Sequence, residues 1–171
     1  MEFLNKLKTP EELEILIVNL KREGKKIVHC HGCYDLLHPG HIRQFNEAKK
    51  LGDILIVSLT ADEFVNKGPH RPFFKENARA EIIGSLIPVD FVTIDKNYSS
   101  ANLIGKLKPD IYIKSTDTDP SHPGLLKEKA AVEAQGGKLV FTPAFNEIAT
   151  KYASTAFVEK IIKHLKESNN L

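Results

Sequence analysis

His31-Gly32-Cys33-Tyr34-Asp35-Leu36-Leu37-His38-Pro39-Gly40-His41 is the stretch on which the fold turns. Ahead of it, Lys26-Ile27-Val28-His29-Cys30 has the apolar, β-branched content of a short strand. Behind it, Ile42, Phe45, Ala48, Lys49 and Leu51 return at helical spacing until Gly52 stops the run. The pattern predicts a strand, a glycine-bearing turn and a helix that starts near Gly40. That arrangement aims backbone N–H groups and the positive end of a helix at a phosphate. His38 and His41, three apart across the helix start, can face the side where that phosphate would lie. Both can donate to phosphate oxygens, and near neutral pH either can carry a proton. A phosphoryl group in transfer asks for charge neutralisation and in-line positioning more than for covalent chemistry. The plainer reading is a pair of surface histidines at a helix N-cap. A zinc site that borrowed Cys30 and Cys33 would need a strand residue and a turn residue to converge on a helical pair, which this spacing disfavours.

At 171 residues the chain is long enough to bury a full core, and it reads as one domain over 1–171: an N-terminal helical segment 1–24, a core 25–165 and a frayed tail 166–171. A formal charge of +2 gives no basic footprint, so neither nucleic acid nor a membrane is expected as a partner. Charges at Glu2, Lys6 and Lys8 interrupt the start, so no leader or membrane span is read there and a cytoplasmic location is expected. Cys30 and Cys33, in or beside a strand, do not make a disulfide framework. A redox role for the pair is a distant alternative, because Cys30 reads as a buried strand residue.

Thr9-Pro10-Glu11-Glu12 is a helix start, with an N-cap threonine, proline at N1 and acids in the first turn; the helix runs to about Arg22 and ends at Gly24. Residues 53–60 form a near-continuous apolar strand, of the kind covered on both faces. The loop Asn66-Lys67-Gly68-Pro69-His70-Arg71-Pro72 is too rich in glycine, proline and base to be regular; Lys67 and Arg71 can close over an anion, or the loop is simply solvated. Further elements are helices over 75–86, 99–107 and 122–135, strands over 89–94, 108–114 and 138–142, and a last helix that opens at Tyr152-Ala153-Ser154-Thr155. Strands alternating with helices predict an α/β class with a parallel sheet, order 3-2-1-4-5, with the ligand at the switch point beyond the first strand.

The run from Gly32 to His41 resembles the G-x-[FY]-D-x-[LF]-H-x-G-H pattern of the cytidylyltransferase-like nucleotidyltransferases, a Rossmann-like, doubly wound family, and matches it throughout. Lys67-Gly68 falls where relatives carry a lysine that reaches the nucleotide's phosphates. Arg79 matches the arginine of an N-E-x-R segment, here Lys75-Glu76-Asn77-Ala78-Arg79, and is expected to bind phosphate or pack the lid. Val89-Asp90-Phe91-Val92 resembles V-D-x-V. Lys108-Pro109-Asp110 through Lys114 and Asp117 resembles the K-P-D-x-x-V-K-G-x-D of heptose 1-phosphate adenylyltransferases, with Ser115-Thr116 in place of the glycine-rich pair. Ser154-Thr155 matches the Ser-Thr of the second family signature, whose arginine and glycine are replaced by Ala149 and Tyr152; Lys151 is a candidate for the lost charge.

The resemblance implies nucleotidyl transfer: a phosphorylated small molecule attacks the α-phosphorus of a nucleoside triphosphate, and pyrophosphate leaves. His38, His41 and Lys67 are the expected catalytic residues. Gly32, Cys33, Tyr34, Asp35, Gly40, Arg79, Lys114, Asp117, Ser154 and Thr155 are the expected nucleotide-binding residues. Magnesium is expected to arrive with the triphosphate, without metal ligands of the protein's own. The acceptor favoured by the resemblance is a sugar 1-phosphate, as in ADP-heptose synthesis, made by a separate sugar kinase; a homodimer is implied. Two alternatives stand beside it: a CTP-dependent enzyme acting on glycerol 3-phosphate or another phosphorylated acceptor, and a nucleotide-binding regulator that has lost turnover.

Overall fold

The computed structural model describes residues 3–116, 118–143 and 154–168, the last helix's first two residues by backbone alone. A short helix α1 (Phe3–Lys6) leads to α2 (Pro10–Arg22). Thr9 closes a capping box at the start of α2: its hydroxyl accepts from the Glu12 amide at 3.2 Å, and the Glu12 carboxylate accepts from the Thr9 amide at 2.7 Å. Strands β1 (Ile27–Gly32), β2 (Ile54–Thr60), β3 (Phe91–Asp95), β4 (Ile111–Ser115) and β5 (Lys138–Thr142) alternate with α3 (Pro39–Lys49), α4 (Glu76–Gly84), α5 (Ala101–Leu107) and α6 (Pro123–Glu133); α7 (Ser154–Ser168) follows. All pairings are parallel and the order is β3-β2-β1-β4-β5, as the sequence predicts.

The two faces of the sheet carry different cores. Val28 and Cys30 of β1 with Leu55, Val57 and Leu59 of β2 pack under Phe45 and Ala48 of α3 and Ala80 and Ile83 of α4. On the other face Ile27 and Ile56 meet Leu13 and Ile17 of α2 and Leu103 and Leu107 of α5. Fully burying such side chains contributes about 1.5–3 kcal/mol each, which is what holds helices to both faces.

Two motif aspartates clamp the amino ends of the strands. Asp90 accepts from the Leu55 amide at 2.7 Å and from Lys49 at 2.6 Å. Asp110 accepts from the Ile27 amide at 2.7 Å and from Lys21 at 3.1 Å. Each fixes where a strand begins, and so the register that brings the carboxyl ends level.

The structure extends the reading in two places. β1 continues past Cys30, because His31 and Gly32 still pair with Ser58 and Leu59 of β2. The segment after α1 lies along the outer edge of β3, where Leu7 bridges Val92 and the Lys8 amide donates to the Val92 carbonyl at 2.9 Å. An edge strand that would otherwise expose unpaired groups is thus covered by the chain's own start.

Candidate active site

The turn from β1 to α3 is built around a buried tyrosine. Tyr34 takes a left-handed backbone, φ +50°, and folds its ring back beneath Gly32. A Cβ on residue 32 would sit 2.9 Å from that ring, so glycine is required there. The ring then meets His41 and Phe45 edge-on, each at 5.2 Å between centroids. The Tyr34 side chain, 5% exposed, is therefore a wedge under the site, which leaves its backbone as the part that faces the turn.

His38 is the N-cap of α3, in extended conformation, with Pro39 and Gly40 opening the helix. Its ring lies against that of His41, with centroids 3.7 Å apart and planes inclined by 32°. The two predicted catalytic histidines are thus stacked on the helix's positive end. Burial first, then the nearby charges of His38 and Lys67, pushes the His41 imidazole down to about 3. It is neutral before ligand arrives, where the sequence left its protonation open. The Nδ1 of His41 is buried without a hydrogen-bond partner among the described residues. Lys67 is exposed, one residue before Gly68 at φ +89°, and its charge bears on both His41 and Cys33. The structure therefore gathers His38, His41, Lys67, Gly32, Cys33 and Gly40 at one turn.

Asp35 and Arg79 are both engaged within the protein. The Asp35 carboxylate accepts from Arg71 Nε at 2.5 Å and from the amides of Phe73 and Phe74 at 2.7 and 3.1 Å. Both its oxygens are used to anchor the lid loop, so it orients that loop instead of meeting nucleotide. Arg71 is likewise held, its guanidinium 4.6 Å from the Phe73 ring centroid, and does not share the anion-closing role foreseen for Lys67. Arg79 is fully buried. Its Nε donates to the Phe74 carbonyl at 2.9 Å, its Nη1 to the carbonyls of Cys33 and Thr60 at 2.6 and 2.8 Å, and its Nη2 to Asp62 at 2.7 Å. It ties the turn, the end of β2 and the lid into one body, so of its two expected roles the structure chooses packing of the lid over phosphate contact.

Lys114 pairs with Glu128 of α6 at 2.9 Å and lies 5.3 Å from the Tyr112 ring centroid, on the sheet face away from α3. It is not among the groups gathered at the histidine turn. Asp117, Ala149, Lys151 and Tyr152 lie outside the described residues, as do the side chains of Ser154 and Thr155. Burial raises both thiols, Cys33 with a further upward push from Asp35 that Lys67 and Arg79 oppose, so neither is poised as a thiolate. Among the described residues no group of three His, Cys, Asp or Glu could hold a metal ion.

Sequence reasoning missed a buried polar chain beside the turn. His29 Nε2 and His31 Nδ1 both lie 2.8 Å from the Ser58 hydroxyl, and His31 Nε2 lies 3.3 Å from the Thr60 hydroxyl. One proton order satisfies every link: His29 Nε2–H donates to Ser58, Ser58 donates to His31 Nδ1, and His31 Nε2–H donates to Thr60. That leaves the Thr60 hydroxyl hydrogen free to point at the carboxyl edge of the sheet. The signal was present in the sequence as polar residues two apart on three strands, His29/His31, Ser58/Thr60 and Thr93/Asp95.

Burial, then the charge of Lys114, pushes His29 down to about 3. Unfolded, it titrates near 6.5, so protons favour the unfolded chain. The stability tied to this neutral histidine is complete above about pH 6.5 and is lost on acidification toward pH 3, by about 1.4 kcal/mol per pH unit. A His29→Gln variant, which keeps a donor for Ser58, should show a pH dependence of urea unfolding shallower by one proton between about pH 6 and 4. An unchanged slope would contradict a neutral buried His29.

A sequence profile described as cytidylyltransferase-like matches residues 29–169. Among curated proteins, the bifunctional protein HldE of Desulfatibacillum aliphaticivorans is 39% identical over 147 residues, 85% of this chain and 29% of the relative. The bifunctional protein HldE of Campylobacter jejuni is 37% identical over 163 residues, 94% of this chain and 32% of the relative. The chain thus spans about a third of the length of these relatives. Among solved structures, a lipopolysaccharide core biosynthesis protein from Thermoplasma volcanium superposes with a TM-score of 0.59 at 27% identity, covering 71% of this chain and 97% of that one. A pantoate-beta-alanine ligase from Francisella tularensis, at 15% identity and a TM-score of 0.57 over 80% of this chain and 66% of its own, shares the fold.

Proposed function

The chain belongs to the cytidylyltransferase-like family, and from that premise we propose that it transfers the nucleoside monophosphate of a nucleoside triphosphate, ATP by preference, to a sugar 1-phosphate of the heptose 1-phosphate class. The observation that carries the reading is the stacked His38–His41 pair on the positive end of α3, with Lys67 above it. An oxygen of the acceptor's phosphate bonds to the α-phosphorus, the bond from that phosphorus to the bridging oxygen breaks, and pyrophosphate leaves with the electron pair. The nucleophile is already ionised, so the site needs no general base. Gly40 and the backbone of the Gly32–Tyr34 turn hold phosphate oxygens, and the histidines and Lys67 neutralise the charge that develops on the α-phosphate and the leaving group.

The donor set fits magnesium that travels on the triphosphate, since the turn's carboxylate, Asp35, is fully engaged by the lid. When bound, that ion would neutralise charge on the phosphate oxygens, with water and phosphate as its ligands. The proposal includes a homodimer and a kinase-class reaction that supplies the 1-phosphate; the dimer is tested by sedimentation, where a monomer's mass would refute it.

The reaction is tested by pyrophosphate release with ATP or CTP against sugar 1-phosphates and glycerol 3-phosphate. Release with ATP and heptose 1-phosphate is the expected result. Release with CTP and glycerol 3-phosphate would replace both substrates, and nucleotide binding without release from any pair would make the chain a regulator. Lys67→Ala should lower turnover by roughly ten- to a hundredfold, because an exposed, mobile charge reaches the phosphates. Its melting temperature should stay at the wild-type value; normal turnover would remove Lys67 from the mechanism.

A further inference from the structure

Over the outer edge of β3, between the starts of α2, α4 and α5, lies a cavity of about 740 Å³. Thr93 and Asp95 form its floor, Leu7 and Thr9 its outer wall, and Asn77 and Asn102 its rim. The outer wall precedes residues 29–169, so this chain's own opening segment completes a chamber that the family-matched part alone would leave open.

Two atoms in the floor point to a ligand. Thr93 is fully buried and Asp95 is 2% exposed, yet Thr93 Oγ1 and Asp95 Oδ2 have no hydrogen-bond partner among the described residues. Asn97 occupies the other Asp95 oxygen at 2.8 Å, and the buried Ser100 hydroxyl also bears on the carboxylate, too far from Oδ2 for a good hydrogen bond. His31 Nδ1 lies 3.9 Å from Oδ2, but burial holds that imidazole neutral and Ser58 already occupies the nitrogen, so the approach is no ion pair. Groups buried in this way are costly unless a water or a ligand satisfies them. A carboxylate oxygen can only accept, so the ligand atom facing Asp95 must donate; a threonine hydroxyl does either. The surrounding side-chain amides also do either, while Leu103 and Ile94 offer surface for C–H groups. Lys8, Lys96 and Lys106 in the lining are offset by Glu11, Glu12, Glu76 and Asp95, so the cavity has no excess of positive charge to hold a phosphate. A carbon chain that bears hydroxyls fits all of this.

We propose that this cavity takes the hydroxyl-bearing part of the acceptor, with Asp95 and Thr93 as the specificity-determining residues. The inference rests on the transfer reading above. Asp95 is level with Thr60, and the Thr60 hydroxyl meets His31 at the end of β1. From the floor to the turn is two strand spacings, about 10 Å, close to the reach of an extended phosphorylated sugar. The phosphate would lie at the turn while the far hydroxyls lie on β3.

The test measures binding, by calorimetry with the full chain saturated with an ATP analogue that has a methylene between the α- and β-phosphorus. Heptose 1-phosphate and mannose 1-phosphate are the long probes and glycerol 3-phosphate the short one. Asp95→Asn and Thr93→Val should each weaken the long probes about tenfold or more, and leave glycerol 3-phosphate and the ATP analogue unaffected. Equal loss for long and short probes, no loss for either variant when folded, or no binding of the long probes by wild type would each overturn the proposal. Pyrophosphate release is read separately. A protein that binds the long probes with this Asp95 dependence but releases no pyrophosphate would sink the transfer reading and keep this one, and release from an acceptor indifferent to Asp95 would do the reverse.

Discussion

His41→Ala should lower turnover by about a hundredfold or more and leave the fold intact. The fold is expected to survive because the imidazole's Nδ1 has no partner among the described residues, and its ring is held by stacking on His38 and by the edge of Tyr34. The activity is expected to fall because the same burial that keeps the ring neutral at rest, at about 3, makes it respond strongly to an anion. A side chain that gains its proton as phosphate charge builds up stabilises the transition state more than the resting complex. The loss should therefore appear in kcat more than in KM. Near-normal turnover in a folded variant would refute the role.

Arg79→Met should cost about 3–5 kcal/mol of stability, a large part of the 5–15 kcal/mol that domains commonly possess. One guanidinium serves the carbonyls of Phe74, Cys33 and Thr60 and the carboxylate of Asp62, and a thioether leaves all four without a donor. Arg79→Lys should recover only part of the loss, since one ammonium has three donors and cannot reproduce the planar fork. The measurement is the midpoint of urea unfolding. A loss under about 1 kcal/mol would show that the clamp does not hold the lid and the turn together.

The order of the sheet was legible because the strands are short, largely apolar runs and the helices between them announce their ends, as Thr9-Pro10 and Gly52 do. The histidine turn was legible because Gly32, Asp35 and the two histidines are neighbours in sequence. What Asp35 and Arg79 hold was not legible, for the opposite reason. Their partners lie 36 to 39 residues away for Asp35 and up to 46 away for Arg79, and a charged side chain in a motif looks the same whether it meets a ligand or closes a loop. The polar row that runs to the cavity was hidden in a similar way: His31, Ser58 and Thr93 sit on three strands, and only the register brings them level.

The most direct measurement uses ATP labelled at the α-phosphate, with heptose 1-phosphate as acceptor. Attack at the α-phosphorus predicts that the label appears in the nucleotide sugar and that the pyrophosphate released is unlabelled. Hydrolysis of the label to AMP regardless of acceptor, or label that remains in ATP while nucleotide is bound, would contradict transfer at this turn.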